Sequence, residues 1–298
     1  MPYGFPSGAE LRFRICFMEG HAVDLQQALY SQYGTTEVEQ FKHSFRGSHI
    51  ASIDAFLAKR PEFSTIGKYA IAHELCKKEI PEYLGIPVIP DDDWYFRLWN
   101  ALMADVHNLE QFRLNNIKIV TFNYDRSLEA YLDISIQNTF KLSPEDSLKE
   151  VQKMKIIHVY GSLGNYGFDS INSRGYHPDV AADKLHVAAK GIRVIPETRD
   201  DDIAFNEVYK WFYTAARVVI LGFGFDDLNV KRLGFAKALS DRAFDPPVEI
   251  LASTWGMSEA EAEVARIIMI APNSSRCIWK TSNARNLETL RNNAGILR

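Results

Sequence analysis

Residues 117–132 read IKIVTFNYDRSLEAYL. An apolar, β-branched run (Ile117, Ile119, Val120, Thr121) ends in Asn123-Tyr124-Asp125, and Leu128, Tyr131 and Leu132 follow at helical spacing. The pattern predicts a strand, a polar loop and a helix. In an open α/β sheet, ligands bind just beyond the carboxyl ends of the parallel strands, so Asn123 and Asp125 stand where chemistry is usually done. Asp125 has a second reading as a helix cap, because its carboxylate can accept the orphan N–H groups of a first turn.

The same arrangement recurs downstream. IIHVY at 156–160 reads as a strand ending in Gly161-Ser162-Leu163-Gly164. GIRVIP at 191–196 reads as a third strand, followed by a polar, acidic connection at 197–202. A helix is expected over 203–216, with Phe205, Val208, Trp211 and Phe212 on one face. VVIL at 218–221 is a fourth strand that runs into Gly222-Phe223-Gly224-Phe225-Asp226-Asp227-Leu228-Asn229. A helix over 228–239 and a strand over 248–252 follow. Residues 259–270 read as helix, and the rest of the C-terminal region as irregular. Strands alternating with helices predict a parallel sheet with right-handed crossovers.

Upstream, MPYGFPSGAEL reads as a Pro/Gly loop entering a helix, with Ser7 as N-cap. Residues 24–108 read mainly as helix, at 24–33, 52–58, 64–79 and 93–108. Trp94, Phe96, Leu98, Trp99, Leu102 and Met103 form a dense apolar face that reads as core. The turn at 87–93 carries Asp91-Asp92-Asp93, an acidic triplet suited to a helix N-terminus rather than to a metal.

Three strand ends therefore carry polar groups or glycine: Asn123 and Asp125, Gly161 and Ser162, and Gly222, Gly224 and Asp226. In one parallel sheet all three emerge at the same edge. Glycine there permits close backbone approach and positive φ, and amides at helix starts can hold phosphate oxygens. The set favours a nucleotide-type ligand, without choosing between an enzyme and a binding module.

The chain has 298 residues, 46% of them hydrophobic and 24% charged, enough for one large α/β domain or a core with an inserted helical part. A net charge of −4 gives no basic footprint for nucleic acid. Three well-separated cysteines exclude a four-cysteine zinc knot and a disulfide framework, and fit a reduced cytoplasmic setting. No apolar run approaches the roughly 18 residues of a membrane span, and residues 1–20 lack the pattern of a signal peptide.

Taken together, the motifs resemble the bacterial sirtuin-like (silent-information-regulator-like) family, especially its antiphage-defence branch. The family's T-x-N-x-D motif is matched by Thr121-Phe122-Asn123-Tyr124-Asp125. Its H-G-S is matched by Tyr160-Gly161-Ser162, and its later G-x-[SG]-F by Gly222-Phe223-Gly224-Phe225. The second half of its first loop is matched by Gly4-Phe5-Pro6-Ser7-Gly8. The order agrees from Met1 to about Asn229. The resemblance implies a Rossmann-like parallel sheet flanked by helices, with an inserted helical subdomain. Residues 1–298 would form one domain: 1–23 a remnant of the nucleotide loop and first helix, 24–112 a mainly helical insertion, and 113–298 the core. NAD or an ADP-ribose relative is the implied ligand. NAD+ glycohydrolysis to nicotinamide and ADP-ribose is the implied activity, with no metal and with self-association into a homo-oligomer.

Two departures from the family stand out. Its early strand and Gly-Ala-Gly loop would lie before Met1, so the expectation is a fold without them, with a sheet edge or central slot unpaired. Its catalytic histidine is Tyr160 here, and a phenol with a pKa near 10 is a poor base at neutral pH. His158, about 6.5 Å earlier along the strand, could substitute only with a shifted loop, and otherwise reads as a sheet-facing histidine.

By resemblance, Asn123 would orient water and ribose, Asp125 the nicotinamide amide, and Tyr160 or His158 the ribose hydroxyls. Gly4, Pro6, Ser7 and Gly8 would border the phosphates beside Thr121, Phe122, Gly161 and Ser162. Gly222, Gly224, Asp226 and Asn229 would take the adenosine side, although Asn229 reads equally well as a first-turn helix residue. The alternatives are a catalytically inactive NAD or ADP-ribose binder and a partner-binding remnant of the fold. No full G-x-G-x-x-G opens a βαβ unit, which argues against an oxidoreductase.

Overall fold

The β-branched run at the centre of the sequence forms strand β1 (Lys118–Thr121), which pairs with β2 (Lys155–His158). The structure, a computed structural model, describes residues 2–85, 93–167, 171–194, 202–242 and 246–297. The acidic turn at 87–92, the end of the expected 191–196 strand and the connection at 197–201 lie outside the described residues. The chain is a mixed α/β protein of helices and short parallel strands in small sheets. It divides into two compact units: Met1–Val88, Thr121–Met154 and His158–Arg199 make the first, and Ile89–Val120, Lys155–Ile157 and Asp200–Arg298 the second. Strands β1 and β2 each cross the division. Helices up to Gly85 belong to the first unit, and Trp94–Leu102 and Leu109–Arg113 to the second.

The first unit is built around Ser64–Cys76, a helix buried on nearly every side from Ile66 to Cys76. Helix Ala182–Gly191 packs against it. Phe41, Phe45 and Phe56, all fully buried, form an aromatic cluster with Phe63 whose ring centroids lie 4.8 to 6.2 Å apart. Each such side chain contributes roughly 1.5–3 kcal/mol by leaving water. Helix starts follow their sequence signals. Ser7 caps Gly8–Cys16 in a reciprocal capping box with Glu10, and Ser52 caps Ile53–Lys59. A short parallel pair, β3 (Asn165–Tyr166) and β4 (Ser173–Arg174), completes the unit.

The second unit holds a three-stranded parallel sheet in the order β5 (Arg217–Ile220), β6 (Val248–Ser253) and β7 (Cys277–Ser282). Its central strand is almost wholly buried, as parallel strands covered on both faces are. Val248, Ile250 and Ala252 pack with Phe225, Phe235, Leu239, Met269 and Ile270 from the loop after β5 and the flanking helices. Asp93 accepts the N–H of Phe96 at 3.0 Å and so caps Trp94–Leu102. No helix among the described residues is long and apolar enough to cross a membrane.

Four expectations need correction. The strands do not lie in one sheet: the described residues place them in three small sheets, with β1 paired only to β2 and β5 only to β6. The strand expected from Gly191 is not formed in its described part. Gly191 closes a helix, and Ile192 makes a single antiparallel bridge to Gly161. The expected 228–239 helix breaks at Gly234 (φ 65°) into Asp227–Leu233 and Phe235–Asp241, because a left-handed residue ends the α ladder. Residues 277–282, read as irregular, form β7, because β6 offers a full ladder of partners from Val248 to Ser253.

Candidate functional site

The loops after β1 and β2 meet in the first unit, joined by backbone. Val159 N donates to Thr121 O at 3.1 Å, and Leu163 N to Tyr124 O at 2.9 Å. Asn123 N donates to Thr121 Oγ1 at 3.0 Å, which turns the chain as it leaves the strand. Tyr124 is buried and donates its hydroxyl to Asp54 Oδ1 at 2.5 Å. These contacts hold the loop on both sides of Asn123, whose residue is exposed.

Asp125 does not cap the helix as expected: Arg126 is the N-cap residue, without a side-chain cap bond, and Asp125 stands one residue earlier in an Asx-type turn. Its Oδ1 accepts the N–H of Ser127 at 3.1 Å and also the Ser127 hydroxyl, at the start of helix Ser127–Phe140. Burial pushes its carboxyl up from the ordinary range, and the Ser127 hydrogen bonds and nearby His158 offset this only in part.

His158 uses both ring nitrogens internally. Nδ1 lies 2.7 Å from the carbonyl oxygen of Asn123, and Nε2 lies 2.7 Å from Glu129 Oε1. The two side chains are each 12% exposed, and Glu129 Oε2 is buried with no protein partner. Burial opposes a charge on the ring, but the Glu129 carboxylate and the Asn123 carbonyl outweigh it and raise the pKa above the ordinary histidine value. Burial likewise pushes Glu129 up, and His158 overcomes it, so that carboxyl lies below its ordinary range. This geometry leaves His158 no free nitrogen for a base.

Tyr160 is buried, with its ring edge-on to Phe122 at 5.7 Å between centroids. Its carbonyl accepts the N–H of Arg193 at 2.9 Å. Gly161 has φ +74°, and a Cβ there would sit 2.0 Å from the carbonyl oxygen of Gly191. Its glycine is accounted for by that crossing of two backbones. Ser162 donates to Gly164 O at 3.1 Å.

The N-terminal loop is shaped by local bonds. Gly4 has φ +77°, with the Tyr83 ring 3.4 Å from where a Cβ would stand. Pro6 is half-buried. Ser7 Oγ accepts the N–H of Glu10 at 3.2 Å, and Glu10 Oε2 accepts the N–H of Ser7 at 2.6 Å. Gly8, at the first helical position, has open space around it.

The loop after β5 belongs to the second unit. Gly222 has φ +62°, and Gly224 has nothing within 4 Å of a built Cβ. Phe225 is buried and meets Phe223 edge-on at 5.2 Å. Asp226 is exposed and accepts the N–H of Asn229 at 3.1 Å, as an N-cap does. The structure thus brings Thr121, Phe122, Asn123, Asp125, His158, Tyr160, Gly161 and Ser162 into one pair of loops.

Sequence reasoning missed Glu129 and the buried guanidinium of Arg126. Glu129 lies four residues after Asp125, the spacing that puts two carboxylates on one side of a helix start. Arg126 reads as an ordinary surface charge. The grouping of Asp24, His73 and Glu74 brings three metal-type ligands together. Lys77 Nζ lies 2.8 Å from Asp24 and 2.7 Å from Glu74, so a cation of the chain already stands among them. No protein-family model, curated protein or solved structure matches the chain.

Proposed function

We propose that this chain is a NAD+ glycohydrolase-like protein, cleaving NAD to nicotinamide and ADP-ribose. The observation that carries the reading is Asn123: an exposed carboxamide at a strand end, on a loop held from both sides. Loss of nicotinamide leaves an oxocarbenium-like ribose. Such a reaction asks mainly for placement of water and leaving group, less for a strong base. Asn123 would orient the water and ribose. Asp125, its carboxyl raised by burial, would hydrogen-bond the nicotinamide amide. In this reading the protein acts in the cytoplasm as a homo-oligomer, in antiphage defence.

A second reading is a binder of NAD or ADP-ribose without turnover. Two observations favour it: Tyr160 is buried, and His158 has both nitrogens engaged. Purified protein incubated with NAD is expected to release nicotinamide and ADP-ribose in equal amounts. Saturable ADP-ribose binding with no nicotinamide release would establish the binder instead. Neither binding nor release would remove both readings and favour a partner-binding role for the fold.

A further inference from the structure

We propose that His158 is a positioning residue: clamped between the Asn123 carbonyl and the Glu129 carboxylate, its imidazolium sets the conformation of the Asn123 loop. What the loop then does rests on the glycohydrolase reading above, whereas the clamp stands on geometry alone.

A main-chain carbonyl can only accept, so Nδ1, at 2.7 Å from Asn123 O, carries a hydrogen. An ionised carboxylate can also only accept, so Nε2, at 2.7 Å from Glu129 Oε1, carries one too. An imidazole with both nitrogens protonated is a cation, and both bonds are then charge-assisted. The facing groups agree with this. Glu129 meets the ring from helix Ser127–Phe140, Asp125 bears on it from the loop, and the positive Arg126 acts on Glu129. The net surroundings of the ring are acidic.

The partners explain what the clamp is for. Glu129 is fixed in a helix, and His158 ends β2, so neither can drift. The third member is the peptide of Asn123, in a stretch between β1 and the helix that forms no regular structure. Asn123 is held on both sides of its Cα, its carbonyl by His158 and its N–H by Thr121 Oγ1 at 3.0 Å, through the two peptide groups that flank it. Those two bonds fix the backbone that carries the Asn123 side chain. Glu129 Oε2, buried and without a protein partner, is a cost that a purely structural pair could have avoided.

The first test is nitrogen NMR of the His158 ring in the wild-type protein. At about pH 6.5, the ordinary histidine value, most His158 rings should carry protons on both nitrogens, with the titration midpoint above that value. The Asn123 amide resonance should move with that same midpoint. A singly protonated ring, an ordinary midpoint, or an Asn123 amide that does not follow the ring would each overturn the clamp.

The second test is turnover by His158→Gln and Glu129→Gln. A displaced reacting group costs about 100-fold, so kcat should fall by that order while KM stays within about threefold. Wild-type kcat in either variant overturns the proposal. If wild-type protein does not turn over NAD yet shows the doubly protonated ring coupled to Asn123, the glycohydrolase reading fails and the clamp stands. The NMR measurement needs no variant, so a variant that does not fold leaves the test intact.

Discussion

Arg126 holds Glu79 with two nitrogens: Nε lies 3.0 Å from Oε1 and Nη2 lies 2.6 Å from Oε2, with both side chains at 1% exposure or less. Arg174 binds the same carboxylate through Nη1. The Arg126 guanidinium also donates to the carbonyls of Asn165 and Gly175, at 3.2 and 3.0 Å. One buried anion thus ties together three stretches of the first unit. Removing it leaves two guanidiniums buried without a counter-charge. Glu79→Ala should therefore destabilise the protein by about 3–5 kcal/mol. A urea titration would show this as a lower midpoint at unchanged slope. A loss below about 1 kcal/mol, the size of a surface pair, would mean the cluster is hydrated rather than dry.

The crossing of Gly161 and Gly191 makes a sharper, steric prediction. A methyl at Gly161 would meet a carbonyl oxygen at 2.0 Å, and one at Gly191 would meet Ser162 O at 2.2 Å. Gly161→Ala should cost roughly 2 kcal/mol or more, because φ is also positive there. Gly224→Ala, in open space, should stay within about 0.5 kcal/mol of wild type. Thermal unfolding of the two variants side by side makes the comparison, and equal losses would contradict it.

Glu74 predicts acid sensitivity. Its side chain is fully buried, with Lys77 Nζ at 2.7 Å, His73 Nδ1 at 3.2 Å and Arg14 in direct contact. Burial pushes the carboxyl up, but the hydrogen bonds from His73, Arg14 and Lys77 outweigh it and bring the pKa from 4.5 to about 2. The folded value is below the unfolded one, so the stabilisation is present above about pH 4.5 and is lost as pH falls through about 2. The amount is on the order of 3 kcal/mol. Unfolding free energies of wild type and Glu74→Gln should converge between pH 6 and pH 2. Parallel curves would show that Glu74 does not carry the transition.

Asn123→Ala should abolish NAD turnover and leave stability within about 0.5 kcal/mol, because the residue is exposed and the bonds of its loop come from the backbone. Nicotinamide release and a melting curve on the same preparation separate the two effects. Retained turnover would move the chemistry away from this loop.

Much of the local structure was legible because its causes are local. The N-cap at Ser7 needs only a serine where the Pro/Gly loop enters the helix. The strands Lys118–Thr121 and Val248–Ser253 follow from β-branched runs, and helix Glu259–Ile270 from its apolar spacing. The turn that Asp125 makes with Ser127 and the bond from Asn123 N–H to Thr121 Oγ1 belong with these, since each depends on a neighbour two residues away.

What tertiary structure decided lies at longer range. His158 meets Glu129 across 29 residues, Arg126 meets Glu79 across 47, and Arg174 meets Glu79 across 95. Gly161 is a glycine because another backbone crosses it, and residues 277–282 become a strand because β6 offers them a ladder. Residue type and spacing set which local conformations are low in energy. They do not say which distant group will satisfy a buried charge or an open strand edge, since that depends on what packing leaves beside it. His158 shows the difference: its sequence position left open a base on a shifted loop or a sheet-facing histidine, and its packing uses up both nitrogens.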